Sequence, residues 1–268
     1  MSLRELFKRH KSDKYNHNYH LIYEPYLKNL KRKKLNILEI GVSDGASIKA
    51  WADYFKNSNI IGIDIKKIDL KKSKLNRKKI SIYQGSQSDK KFIEFLINKY
   101  KKFDIIIDDG SHIPSDVIKS FNLLFDALSN KGIYFVEDTQ TSYNHFFGGN
   151  PFDLKYAYTQ VNYFKKLSDS VNFQEIANPF YIKSKYDGLI RNISFFNNMI
   201  VIVKDKINFN SNLLINNSYE NKRYLTKISR KMGKEKIRYY IKYKLVFKLF
   251  TLSLYFINLL KKLLLFRY

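Results

Sequence analysis

Between residues 36 and 204 the chain alternates short apolar runs with amphipathic stretches. Residues 36–40, 59–65, 80–83, 103–107 and 132–136 are apolar runs of strand length without inside–outside alternation. Residues 47–56, 89–100 and 114–128 place apolar side chains at helical spacing, as in Ile48, Trp51 and Phe55, or Phe92, Phe95 and Leu96. Ser115 is the expected cap of the third of these helices. Residues 66–79 read as a very basic loop or short helix. Strands that are apolar throughout and separated by helices predict a parallel sheet covered on both faces. Near the end of this region, residues 189–196 and 199–204 flank Asn197-Asn198, which predicts a hairpin.

The pattern divides the chain into four parts. Residues 1–34 form an N-terminal helical segment, 35–205 the α/β domain, 206–230 an Asn-rich linker and 231–268 a basic helical tail. The tail holds ten Lys or Arg against the single acid Glu235. Its apolar stretch, 249–260, is followed by Lys261 and Lys262. Twelve helical residues span about 18 Å, too short for a hydrocarbon core of about 30 Å. A helix lying in an acidic leaflet fits this composition better than a span; docking on protein is the alternative. A parallel βα sheet finished by an antiparallel hairpin is the pattern of a class I methyltransferase, a Rossmann-like fold.

Composition narrows the chemistry. The 268 residues carry 49 Lys or Arg against 24 Asp or Glu, a formal charge of +25, which favours an anionic partner. Lys, Asn, Ile, Tyr and Phe all have AT-rich codons, so genome bias explains part of that excess. With no cysteine, disulfides, thiolate zinc sites and cysteine nucleophiles are excluded. The first ten residues are charged and do not resemble a signal peptide, so the expected location is the cytoplasm, peripheral at the inner membrane face if the tail binds lipid.

The first strand runs into Glu39-x-Gly41-x-Ser43-x-Gly45. Glycines at such a turn let the backbone approach a ligand. Asp64 ends the second strand, where a carboxylate suits the hydroxyls of a ribose. Ser43 replaces the second glycine of a pyrophosphate-wrapping loop, which favours S-adenosylmethionine over a dinucleotide.

The fourth strand ends in Asp108-Asp109-Gly110-Ser111-His112 and the fifth in Glu137-Asp138. Carboxylates on neighbouring strand ends repel unless a cation or protons neutralise them. Oxygen ligation suits Mg²⁺, Mn²⁺ or Ca²⁺ and disfavours zinc. His112 stands beside them as a candidate proton acceptor. Downstream, Tyr143, His145, Phe146 and Phe147 precede Gly148-Gly149 and are read as a substrate lid.

With Ser12-Asp13-Lys14, His17, Tyr19, Tyr23 and Glu24 at the start, these motifs resemble the Mg²⁺-dependent sugar O-methyltransferases of the macrolide and tetracenomycin-rhamnose type. The resemblance runs over roughly residues 12–204. It includes Asp109 standing 28 and 29 residues before Glu137 and Asp138. It implies that Asp109, Glu137 and Asp138 hold the metal and that His112 is the base. It assigns the cofactor to the Gly41 loop and Asp64, and places Gln87 and Asp89 near the adenine; Glu39, Ser43, Gly45 and Asp108 belong to the same cofactor set. The implied partners are S-adenosylmethionine, Mg²⁺ and a sugar or glycan acceptor. An acidic membrane surface met by residues 231–268 and a homo-oligomer are further candidates. Three rivals share the fold: a nucleic-acid methyltransferase, a non-catalytic membrane scaffold and a metal-dependent hydroxylase. The first lacks an Asn/Asp-Pro-Pro-Tyr/Phe motif after the fourth strand, and the last lacks a second nearby histidine.

Overall fold

The computed structural model describes residues 1–75, 77–176 and 181–206. The linker from residue 207 onward and the basic tail lie outside the described residues. The strands are β1 (Asn36–Ile40), β2 (Asn59–Asp64), β3 (Ile80–Gln84), β4 (Phe103–Asp108), β5 (Leu128–Glu137), β6 (Ile190–Phe196) and β7 (Met199–Lys204). They form one sheet in the order β3-β2-β1-β4-β5-β7-β6. The first five are parallel, and β7 inserts antiparallel between β5 and β6. Asn198 closes the hairpin with φ +57°, a conformation that asparagine tolerates well.

Both faces are covered, which is why the central parallel strands carry apolar side chains on both sides. Side chains alternate across the sheet. Ile106, Tyr134 and Val136 pack on one face, with Phe121 of α5 (Pro114–Leu124) and Leu96 of α4 (Lys90–Tyr100). Ile105, Ile107 and Phe135 pack on the other. There they meet α1 (Leu3–His10), α2 (His20–Leu27) and α3 (Ala46–Tyr54). The N-terminal helices thus share the core of the sheet. Trp51 of α3 is fully buried, with the rings of Phe7 and Tyr23 edge-on at 5.1 and 5.0 Å.

Two local expectations need correction. Ser115 does not cap α5; the N-cap is Ile113, without a side-chain bond, and Pro114 opens the helix, where its missing N–H costs nothing. That helix also stops at Leu124, and Leu128 already pairs with Phe103, so β5 begins four residues earlier than its apolar run. A register irregularity between Phe103 and Ile105 absorbs the polar start of the strand. The helix expected to open at residue 89 is α4, with Asp89 as its N-cap, accepting from the amides of Lys91 and Phe92.

The chain crosses from β1 to β2 on one side and reaches β4 on the other. This reversal opens a crevice at the carboxyl ends of β1 and β4, the position where open α/β sheets bind ligands.

Candidate active site

The crevice is lined by Ile40, Gly41, Asp64, Ser86, Gln87 and Gly110, among others. Gly41 has φ +90°, and a Cβ there would lie 2.0 Å from the Asp109 carbonyl oxygen. Only glycine lets the β1 turn pass so close to the end of β4. Asp64 shapes the same turn: its Oδ2 accepts from the amides of Val42 and Ser43 at 3.0 and 2.9 Å. Ser43 and Gly45 both take positive φ in this loop.

Gln87 is buried and spans the crevice floor. Its amide donates to Asp108 Oδ1 at 2.9 Å, and its Oε1 accepts from the Ser111 N–H at 2.8 Å. Asp108 also accepts from Ser120 and Tyr134, at 2.6 and 2.9 Å. Its carboxylate is therefore turned into the sheet, and burial pushes its pKa up to about 6. Asp89 caps α4 and is absent from the crevice lining, whereas Ser86, Ser111 and Asp116, which the sequence reading did not single out, are in it.

Beside the crevice, three carboxylates gather around one ammonium. Lys14 is 1% exposed. Its Nζ lies 2.5 Å from Asp109 Oδ2, 2.8 Å from both oxygens of Glu137, and 3.5 Å from Glu39 Oε1. Burial works against its charge, but the carboxylates of Asp109, Glu137 and Glu39 outweigh burial and hold its pKa well above the usual lysine range. Glu39 is also bonded by Ser47 and Trp51, and burial pushes it up to about 7. Tyr23 donates to Glu137 Oε1, so both Glu137 oxygens face inward. Burial, then the neighbouring Asp109, raises Glu137 well above the usual carboxylate range.

Asp109 and Asp138 each commit one oxygen inward and turn the other toward His112. Asp109 gives Oδ2 to Lys14, and Asp138 accepts on Oδ1 from the Tyr19 hydroxyl at 2.6 Å. Their other oxygens lie 3.9 and 3.7 Å from His112 Nε2. Asp138 and His112 both adopt the left-handed conformation, at φ +53° and +56°. That turn sends the Asp138 side chain away from the inward path of Glu137. Among the described residues, Asp109, His112 and Asp138 offer ligand atoms within 4.8 Å of one another, the geometry of a metal-holding cluster. Glu137, which the sequence reading placed with the ligands, shares Lys14 with Asp109 and stands on its inner side. The roles of Lys14, Tyr19 and Tyr23 were not legible beforehand, although all three stand in the N-terminal motif.

The donor set fits a hard divalent cation. Carboxylate oxygen is its preferred ligand, and Asp109 and Asp138 each turn one oxygen away from their inner partners, Lys14 and Tyr19. The crevice, lined by the Gly41, Gly85 and Gly110 backbones beside Asp64, suits a nucleoside-sized ligand.

The chain is 32% identical over 187 residues to the mycinamicin VI 2''-O-methyltransferase of Micromonospora griseorubida, covering 65% of this chain and 46% of that protein. It is also 32% identical over 186 residues to a tetracenomycin-C rhamnosyl 3'-O-methyltransferase of Streptomyces olivaceus, covering 66% of this chain and 47% of that one. The chain thus spans about half the length of these curated relatives. Among solved structures, it matches the MycE methyltransferase of the mycinamycin pathway in complex with Mg, SAH and mycinamycin VI. That match has a TM-score of 0.74 at 27% identity and covers 85% of this chain and 59% of MycE. The seven-stranded sheet with its antiparallel end is accordingly a class I methyltransferase fold. The family model for FtsJ-like methyltransferases matches residues 11–168, which contain the crevice and the carboxylate cluster. The chain belongs to the FtsJ-like methyltransferase family.

Proposed function

We propose that this chain is an S-adenosylmethionine- and Mg²⁺-dependent O-methyltransferase acting on a sugar hydroxyl. The observation that carries the reading is the pair of outward oxygens, one on Asp109 and one on Asp138, that flank His112 Nε2 beside the crevice. The similarity to enzymes named as sugar O-methyltransferases supports the acceptor class.

In this reading S-adenosylmethionine supplies the methyl group. Mg²⁺, which Asp109 and Asp138 would hold through their free oxygens, would supply positive charge that favours the ionised form of the attacking hydroxyl. Asp109 and Asp138 are the ligands with free oxygens; Glu137, sharing Lys14 with Asp109, completes the acidic set. Lys14 keeps the inner carboxylates fixed, and Tyr19 orients Asp138. His112 takes the hydroxyl proton at Nε2. Gly41, Ser43, Gly45 and Asp64 form the turn that receives the cofactor, with Gln87 beneath it. Glu39 and Asp108 brace that turn from inside the sheet, and Asp89 orients the helix next to it. Holding both reactants in line supplies much of the rate. The loop holding Tyr143, Phe146 and Phe147 exposes its rings past the site and acts as the acceptor's lid. The acceptor belongs to a surface glycan, such as capsule or lipopolysaccharide, or to a glycosylated metabolite. Residues 231–268 bring the enzyme to an acidic membrane face.

The test is transfer of a labelled methyl group to a panel of nucleotide sugars, glycosides and polysaccharides, with Mg²⁺ and with a chelator. Mg²⁺-dependent label on a sugar supports the reading. Label on RNA, or transfer indifferent to the chelator, contradicts it.

A further inference from the structure

The parallel strands enter the sheet past lysines. Lys34 precedes β1, Lys56 precedes β2, Lys79 precedes β3 and Lys102 precedes β4; Lys131 lies near the start of β5, ahead of Ile133. Antiparallel β7 ends on the same edge with Lys204. All except the half-buried Lys204 are exposed. At the opposite edge the same strands end in Asp64, Asp108 and Glu137, followed by Asp109 and Asp138. Lys66 and Lys67 follow Asp64 at that edge, so the contrast in charge rests on β4 and β5, whose exit ends carry Asp108, Asp109, Glu137 and Asp138.

The charge on the lysine edge is left standing. Lys79, Lys102 and Lys204 donate to the backbone carbonyls of Lys56, Asp126 and Phe125 at 2.7, 2.8 and 2.8 Å, which carry no net charge. Among the acids on this edge, Asp126 and Asp205 are paired with Lys185 and Arg191, and Asp104, bonded by the Asn36 amide, keeps its charge, so the lysines outnumber the acids. Burial first, and Lys102 second, hold Lys204 below the usual lysine range, with Asp126 opposing them.

We infer that this strand-entry edge is a docking face for an anionic lipid surface. Two features favour lipid over nucleic acid. The Lys206 amide donates to Asn130 Oδ1 on this edge, so the remaining 62 residues continue from here. Their sequence includes the apolar stretch 249–260 between lysines, suited to an acyl boundary and of no use against a phosphodiester backbone. The inference rests on the membrane reading of residues 231–268 and not on methyl transfer. If the edge lies on the leaflet, β4's six residues hold the Asp109 site about 20 Å above it. The acceptor is then a soluble sugar or a glycan long enough to reach that height.

The test is co-sedimentation of the full chain with phosphatidylglycerol–phosphatidylcholine vesicles and with pure phosphatidylcholine vesicles. A triple variant, Lys34→Glu, Lys56→Glu and Lys131→Glu, is compared with a control of equal charge change, Lys90→Glu, Lys119→Glu and Lys165→Glu. Thermal melts confirm that both fold. The expected result is binding to anionic vesicles only, lost at about 0.5 M salt, and cut about ten-fold or more by the edge variant but not the control. Equal losses in both variants, an unchanged edge variant, or preference for an RNA oligonucleotide over vesicles would overturn the inference.

Discussion

The Lys14 ammonium lies 2.8 Å from both carboxylate oxygens of Glu137, fully buried, although 123 residues separate the two in sequence. This pair ties the N-terminal segment to the end of β5 and fixes the inner wall of the site. Removing the cation leaves Glu137, with only the Tyr23 hydroxyl, and the inner oxygen of Asp109 without a counter-charge in an interior that solvates them poorly. Lys14→Met is expected to cost about 3–5 kcal/mol of stability. Urea unfolding measures it; a loss below about 1 kcal/mol would show that the pair contributes little to stability.

The outward carboxylate oxygens separate cation binding from folding. Asp109→Asn and Asp138→Asn are expected to weaken Mg²⁺ or Mn²⁺ binding at least about ten-fold. His112→Ala should lower turnover by about 10²–10⁴-fold and leave S-adenosylhomocysteine affinity within a few-fold. Calorimetry and single-turnover assays read these effects independently. Wild-type turnover in His112→Ala would remove the imidazole from the chemistry.

Gly41 allows no side chain. A Cβ would meet the Asp109 carbonyl at 2.0 Å in a backbone conformation that alanine resists. Gly41→Ala should lose about 1–3 kcal/mol and its affinity for S-adenosylhomocysteine together, because relieving the clash spreads β1 from β4. Thermal melts with and without that ligand check this. A variant that is destabilised yet binds normally would detach the turn from the cofactor.

The stability of the fold should depend on pH through Glu39 and Asp108. Burial raises Glu39 from 4.5 to about 7 and Asp108 from 3.8 to about 6. The folded state therefore holds more protons than the unfolded chain between about pH 4 and 7, and the stability from these groups falls as pH rises through that window. Glu39→Gln should flatten the upper part of this decline, since its amide carries no titrating proton. Urea midpoints from pH 4.5 to 7.5 give the slope; an unchanged slope excludes Glu39 as its source.

Much of the fold could be read from periodicity because both sheet faces are covered, and buried strands such as β4 announce themselves as unbroken apolar runs. Asp64, Asp109, His112 and Asp138 stand at strand ends, where the turn residues mark them. Lys14 escaped that reading because its partners lie 95 and 123 residues away and a lysine in a polar segment looks solvated. Glu137 and Asp138 are neighbours in sequence, and only the left-handed backbone at Asp138 sends them to different partners. The early start of β5 was hidden because Ser129, Asn130 and Lys131, none of them buried, separate Leu128 from the apolar run.

Calorimetric titration of S-adenosylhomocysteine into the protein, followed by Mg²⁺, tests the central claim most directly. The account predicts micromolar binding of the nucleoside and a separate heat for the cation that Asp109→Asn abolishes. Absence of nucleoside binding with and without Mg²⁺, in protein shown to be folded, would contradict it.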